Sequence, residues 1–385
     1  MGLFGRQSKK DVFDIRKINI GVVGCGNISD IYFRNLTKTF SNTNVYACAD
    51  LIADRAENAA QKWGIANVMT FEDMLLCDEI EIILNLTTPQ GHYDICKRSI
   101  LAGKHVYVEK PLSLTFNEGC ELVKLAEEKN VLLGGAPDTF MGAGIQTCRK
   151  LIDDGIIGRP IGATAFMMVP GHERWHPNPE FYYKKGGGPM YDMGPYYLTA
   201  LVNLMGGVSE VCGMGNISFP QRTITSEPKN GEIIDVEVNT HIAGLLRFET
   251  GAIGTIITSF DVHKTNLPKI EIYGTDGTLV VPDPNTFGGK VSLFKPNGSG
   301  FEEIPHTHIY AENSRGIGVA DMAQCIVEGG VLRAGKDLIN HVLEIMCAIN
   351  SSDTKKEYYK MQTVCARPAP MPSDIIKGET YKQAK

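Results

Sequence analysis

Lys110, Asp192 and Tyr196 are the residues of this 385-residue chain whose types and setting suit proton transfer. Lys110 stands in Glu109-Lys110-Pro111, at the end of the apolar run HVYVEK (105–110), while Asp192 and Tyr196 stand four positions apart in GGGPMYDMGPYY (186–197). A lysine that closes a buried strand either snorkels to the surface or has a partner and a task. Its ammonium can stabilise a developing alkoxide and lower the pKa of a nearby phenol from about 10 toward neutrality. Tyr196 would then be a general base in alcohol oxidation and an acid in the reverse direction, with Asp192 orienting the substrate or pairing with Lys110. If the helix starts only at Pro195, however, the four-residue spacing does not guarantee that Asp192 and Tyr196 share a face.

Oxidation of an alcohol needs a hydride acceptor, and the other end of the chain offers a place for one. The run INIGVVG (18–24) leads into Gly24-Cys25-Gly26-Asn27-Ile28-Ser29, which opens a helical pattern. The first glycine permits a tight turn, and the second lets a pyrophosphate approach backbone N–H groups at a helix N-terminus. Such a turn can also exist without a ligand, but Asp50 closes the next strand, where a carboxylate accepts bonds from ribose hydroxyls and repels a 2′-phosphate. NAD is therefore expected in preference to NADP. Ser29 stands where the fingerprint has its third glycine, which predicts slightly wider helix–strand spacing.

His172-Glu173-Arg174-Trp175-His176 matches the zinc-protease pattern H-E-x-x-H. That pattern binds metal only on a helix, and Pro170-Gly171 on one side and Pro177-Asn178-Pro179 on the other predict a loop, so no metal is expected. Within this loop His176 is the reserve acid/base and Trp175 a platform for stacking a sugar, or simply a pin for the loop. His306-Thr307-His308 reads as a solvated strand end.

Two kinds of element must position these groups. The runs at 18–24, 45–50, 81–86, 105–110 and 131–135 are short and rich in β-branched residues, and amphipathic helical patterns separate them (27–40, 53–64, 91–103 and 116–130). Strand and helix alternating this often imply a parallel doubly wound sheet. Beyond residue 140 come a helix (145–155), a strand (161–170), the glycine- and aromatic-rich stretch, an apolar helix (197–207) and then five strand-like runs with turn signals such as TDG and PNG. Consecutive strands without helices between them predict an antiparallel or mixed sheet. The expected fold is an α/β Rossmann dinucleotide-binding domain (16–140) followed by an α+β domain with a large open mixed, mostly antiparallel sheet (141–365). A solvated arm (1–15) and a Pro-rich tail (366–385) flank them.

Composition bounds the function classes. The length corresponds to about 2.6 domains of typical size. Lys plus Arg total 38 against 44 for Asp plus Glu, a net charge of −6, which advertises neither nucleic acid nor an anionic membrane as a partner. No apolar run is long enough to span a bilayer, and the N-terminal stretch has neither a secretory core nor, with Arg6, a myristoylation pattern. Ten cysteines without a C-x-x-C pair suit a reducing, cytoplasmic setting.

In order and spacing, the glycine turn, TTPQGH (87–92), Glu109-Lys110-Pro111, IDDGIIGRPIGA (152–163) and GGGPMYDMGPYY resemble the glucose–fructose oxidoreductase, inositol dehydrogenase and rhizopine-catabolism (Gfo/Idh/MocA) family, over residues 17 to 365. The resemblance implies a nicotinamide-dependent oxidoreductase of sugars, cyclitols or related polyols, with its active site between the domains and the open sheet pairing copies into homodimers or homotetramers. It implies cofactor contacts from Gly24, Gly26, Asn27, Ile28, Asp50, Thr87, Thr88, Pro89, His92, Glu109 and Lys110. It implies catalytic or substrate contacts from Lys110, Trp175, His176, Asp192 and Tyr196. His92 could instead cap the helix that follows it. Tyr196 occupies the position where the family pattern D-x-x-x-H has histidine. Two other readings remain on the same scaffold: a glycosidase that uses NAD transiently, and a non-catalytic sugar or nucleotide sensor, against which the presence of Lys110 argues.

Overall fold

The computed structural model describes residues 16–355, 357–375 and 377–380; the arm expected over 1–15 lies outside them. The first half forms β1 (Ile18–Val23), α1 (Ser29–Lys38), β2 (Thr43–Ala49), α2 (Ala53–Trp63), β3 (Asn67–Val68), α3 (Phe71–Leu76), β4 (Ile82–Asn85), α4 (Pro89–Leu101), β5 (His105–Val108), α5 (Phe116–Glu128) and β6 (Leu133–Gly135). All six strands are parallel, in the order β3-β2-β1-β4-β5-β6. β1 and β4 are apolar on both faces because helices cover both sides of a parallel sheet. The chain winds outward to one side from β1 and to the other from β4, so a crevice opens beyond the carboxyl ends of these two neighbours. β3 and α3 are additions to the sequence expectation: two residues of strand and six of helix are too short to show a period.

The second half begins with α6 (Ala143–Asp153), β7 (Pro160–Met168), α7 (Pro189–Asp192) and α8 (Gly194–Met205). Nine strands of the second half form one sheet: β7, β8 (Val208–Asn216), β11 (His241–Phe248), β12 (Ile253–Ser259), β13 (Ile270–Gly274), β14 (Gly277–Val281), β15 (Val291–Phe294), β16 (Glu302–Ile304) and β17 (Tyr359–Lys360). β7 and β12 are parallel and the other pairings antiparallel, giving the order β16-β15-β14-β13-β7-β12-β11-β8-β17. A separate hairpin is made of β9 (Gln221–Thr223) and β10 (Ile233–Asp235). One face of the large sheet packs on helices, and α8, apolar all round, is buried along its whole length. On the other face residues alternate outward, among them Met214, Leu245 and Ile253, which are exposed.

The last helices, α9 (Ile317–Glu328) and α10 (Lys336–Lys355), return to the first sheet. Gly318 of α9 lies so close to Tyr107 of β5 that a Cβ would meet the phenol, and Gly119 of α5 touches Asn340 and Leu343 of α10. One apolar core therefore runs through both halves. Residues 366–380 are not a free tail where they are described: Arg149 donates to the Pro368 carbonyl (2.9 Å), and the Tyr310 hydroxyl donates to that of Glu379 (2.6 Å). His308, expected in solvent, is partly buried and bonds the Met371 carbonyl through Nε2 (3.0 Å). Among the described residues no helix is long and apolar enough to cross a membrane.

Candidate active site

The glycine turn sits in the crevice between β1 and β4. Gly24 has φ +101°, and a Cβ there would lie 2.8 Å from the Leu86 carbonyl, so both backbone and packing demand glycine. At Gly26, in contrast, a Cβ would meet nothing within 4 Å. No protein contact asks for glycine at 26, which suits a position kept bare for a ligand phosphate. Ser29 begins α1, and its hydroxyl bonds back to the Gly26 carbonyl (2.7 Å), so the serine closes the turn on itself. Asp50 is held by two backbone donors, Cys25 N–H (2.7 Å) and Ile52 N–H (2.9 Å), one on each carboxylate oxygen. Across the crevice, Thr88 and Pro89 start α4, and Thr87 donates to Asn85 Oδ1 (2.7 Å). These residues fit a dinucleotide: the turn and the α1 N-terminus would hold its pyrophosphate, and Asp50 a ribose.

Lys110 follows β5 at the same edge. Its ammonium donates to the Asp192 backbone carbonyl (2.7 Å) and to Asp192 Oδ1 (3.0 Å), leaving one N–H of three. The two side chains are 18% and 16% exposed, and they line a cavity of about 290 Å³ whose wall also includes Ile28, Thr87, Pro89 and Tyr196. Burial works against both charges, yet the opposite charge wins for each. Lys110 stays above its ordinary value, and Asp192 is held down to about 2 by the lysine and by a bond from His172.

Tyr196 lies under Lys110, with Nζ 5.3 Å from the ring centroid. Its phenol pKa is raised, contrary to the sequence expectation: burial outweighs the lowering by Lys110 and by Arg315, and Glu109 adds to the rise. The segment 189–205 is helical on both sides of a break at Met193, so Asp192 ends α7 and Tyr196 sits in the first turn of α8. They meet Lys110 from two helices. The glycine run before them is a built turn, with φ of +89° at Gly186 and +88° at Gly188.

The H-E-x-x-H stretch is a loop with a single 3-10 turn, His172–Arg174. Glu173 is buried and binds Arg222 (2.8 Å), whose guanidinium also binds Asp261, while the Tyr183 hydroxyl donates to Glu173. This triad staples the loop to the sheet and the β9–β10 hairpin. His172 Nε2 then lies 3.1 Å from Asp192 Oδ2, and the Trp175 indole N–H donates to His172 Nδ1 (3.2 Å).

Two family models cover most of the chain: the oxidoreductase family with an NAD-binding Rossmann fold over residues 18–135, and the GFO/IDH/MocA C-terminal domain over 145–280. The chain belongs to the GFO/IDH/MocA oxidoreductase family. It is 25% identical over 264 residues to myo-inositol 2-dehydrogenase of Thermotoga maritima, covering 68% of this chain and 74% of that one. It is 23% identical to scyllo-inositol 2-dehydrogenase (NADP(+)) of Bacillus subtilis, covering 88% and 95%. Levoglucosan dehydrogenase, solved with NADH and levoglucosan, shares the fold at a TM-score of 0.78 and 20% identity, with 90% and 100% covered. The chain is thus an NAD(P)-dependent oxidoreductase of CH–OH groups.

Within this GFO/IDH/MocA fold the expected site residues separate into groups. Ile28, Thr87, Pro89, Glu109, Lys110, Asp192 and Tyr196 share the cavity, while Gly24, Gly26, Asn27, Asp50 and Thr88 belong to the turns around it. His92 is fully buried, with its ring nitrogens against the carbonyls of Pro111 (2.6 Å) and Thr87 (3.0 Å). It buckles the two cofactor-side loops together and offers no free edge to a ligand. His176 Nδ1 accepts the Asn178 N–H (3.0 Å), and its ring packs against Phe181 and Tyr182, two residues of the cavity wall. Trp175 has 61% of its surface exposed although its indole N–H is tied down. His172 and Arg315 were not expected. His172 was visible only as half of a metal pattern, and Arg315 carries no local signal.

Proposed function

We propose that this protein transfers a hydride between nicotinamide and a secondary alcohol or ketone carbon of a sugar, cyclitol or related polyol, with NAD preferred over NADP. The observation that carries this reading is the Lys110–Asp192 pair on the wall of a cavity that continues into the dinucleotide turn. When bound, the nicotinamide supplies the hydride acceptor or donor. The remaining Lys110 N–H would bind the substrate oxygen and stabilise the alkoxide. Asp192 keeps that ammonium charged and aimed. Tyr196, kept protonated by its buried setting, is better suited to give a proton in ketone reduction than to take one in alcohol oxidation. The exposed Trp175 face supplies a platform for a sugar ring.

Asp50 favours NAD by repelling a 2′-phosphate. The exposed apolar residues Met214, Leu245 and Ile253 on the outer face of the nine-stranded sheet support assembly with a second copy, and ten free cysteines support a reducing, cytoplasmic setting. A charged lysine held by a carboxylate in the cleft favours catalysis over sensing. The test is a screen of inositols, anhydrosugars, aldoses and aldonates with NAD, followed by the absorbance of the reduced nicotinamide. Reduction with a polyol is expected. Failure with every polyol, by protein that binds NADH, would overturn the reading.

A further inference from the structure

A directed chain of hydrogen bonds reaches Lys110 from the surface. Its outer end is the Trp175 indole N–H, a donor only, which points at His172 Nδ1 (3.2 Å). Nδ1 must therefore accept, and in the neutral ring the proton belongs to Nε2. Nε2 faces Asp192 Oδ2 at 3.1 Å, and the other Asp192 oxygen receives Lys110 at 3.0 Å. A carboxylate only accepts and an ammonium only donates, so every link has one allowed direction.

The ring of His172 is also confined. Tyr182 packs against it with centroids 4.3 Å apart and Phe260 at 4.5 Å. The Glu173–Arg222–Asp261 triad fixes the next residue of the loop. Neither His172 nor Trp175 touches Lys110, yet together they decide which hydrogen bond the second Asp192 oxygen receives.

We propose that His172 is a positioning residue for the Lys110–Asp192 pair, held in the Nε2–H tautomer that the carboxylate requires and that the Trp175 donor reinforces. The proposal rests on the catalytic reading of Lys110 given above. Removing the Nε2–H bond leaves one oxygen of a buried carboxylate unpaired, which favours its neutral form and loosens its hold on the ammonium. The charged and titratable groups around Asp192 are Lys110 beyond β5, His172 and His176 on the loop, and Tyr182 and Tyr196 on the flanking turns. His172 is the one among them that reaches Oδ2 by a hydrogen bond in the described residues.

The test has two arms. Imidazole nitrogen NMR on histidine-labelled protein needs no turnover, so it stands even if the substrate reading fails. The His172 resonances, assigned by their loss in His172→Gln, are expected to show Nε2 protonated and Nδ1 bare, and Trp175→Phe is expected to keep the Nε2 proton while shifting the Nδ1 resonance through loss of its donor. A proton on Nδ1 in the unmodified protein, or an Nδ1 resonance unmoved in Trp175→Phe, overturns the proposal. In the second arm, with an oxidisable polyol, His172→Ala is expected to lower kcat by about 10- to 100-fold, the worth of one charged hydrogen bond, with NADH affinity unchanged. The acid limb of its pH–rate profile should move upward, as Asp192 protonates more readily. His172→Gln, whose amide N–H can replace Nε2–H, should recover most of the rate. Equal losses in both variants with an unmoved acid limb would mean a merely structural histidine.

Discussion

Lys110 and Asp192, 82 residues apart, are joined twice, through the aspartate's backbone carbonyl at 2.7 Å and its carboxylate at 3.0 Å. The first bond depends on where α7 ends and the second on the side chain, so the pair reports both the backbone and the charge of the second half at the edge of the first sheet.

Lys110→Ala should lower turnover by at least about 100-fold, the usual cost of losing a donor to a developing oxyanion. NADH binding, followed by fluorescence, should be nearly unchanged. Undiminished turnover would remove Lys110 from the chemistry.

Tyr196→Phe tests the proton donor. With the phenol held protonated by burial, ketone reduction should fall by about 100-fold, with little change in NADH affinity. His176→Ala should stay within about twofold, because its Nδ1 is taken up by the Asn178 backbone N–H. The reverse ranking in steady-state reduction assays would reinstate His176.

Asp50→Ala removes the acceptor for Cys25 N–H and Ile52 N–H, and with it the carboxylate proposed to meet the ribose. NAD affinity should fall by about 10- to 100-fold, and the preference over NADP should shrink. Equal use of both nucleotides by the unmodified protein would contradict this role.

Arg222→Met strands the carboxylates of Glu173 and Asp261 in a buried setting. Breaking such a network by removing one partner should cost about 3–5 kcal/mol, measurable as a lower urea midpoint. Because the triad holds the loop that carries His172, KM for the polyol should rise as well.

Asp138 accepts the backbone N–H groups of Gly316 (2.8 Å) and Gly318 (3.1 Å) at the start of α9, and burial raises its pKa to about 6. A carboxyl raised on folding binds its proton more tightly in the folded state. Its contribution is therefore fully present below its unfolded pKa near 4 and is lost as pH rises through about 6. Asp138→Asn keeps an acceptor oxygen and removes the titration. The variant should show a flatter stability profile across that window by roughly 3 kcal/mol, read from urea unfolding at several pH values.

The parts that could be read along the chain are those governed by neighbours in sequence. Apolar runs with helical patterns between them announce a parallel sheet, and Gly24 with Asp50 announces a dinucleotide turn, because backbone torsion and strand burial act over a few residues. β3, two residues long, left no pattern to find, and the helix start at Gly194 was obscured by the glycines and prolines around it.

By itself the sequence determined the two-sheet architecture and the nucleotide turn, and it left open whether Asp192 pairs with the strand-end lysine or orients the substrate. Packing decided the rest. The Tyr196 phenol is pushed up where charge alone would pull it down, since burial depends on every neighbour at once. The histidine that meets Asp192 is His172 and not His176, because the buried Arg222 fixes the loop between β7 and α7, and that arginine comes from a hairpin 49 residues beyond Glu173. Contacts of this kind join residues with no common period or motif, and only the folded chain brings them within reach of one another.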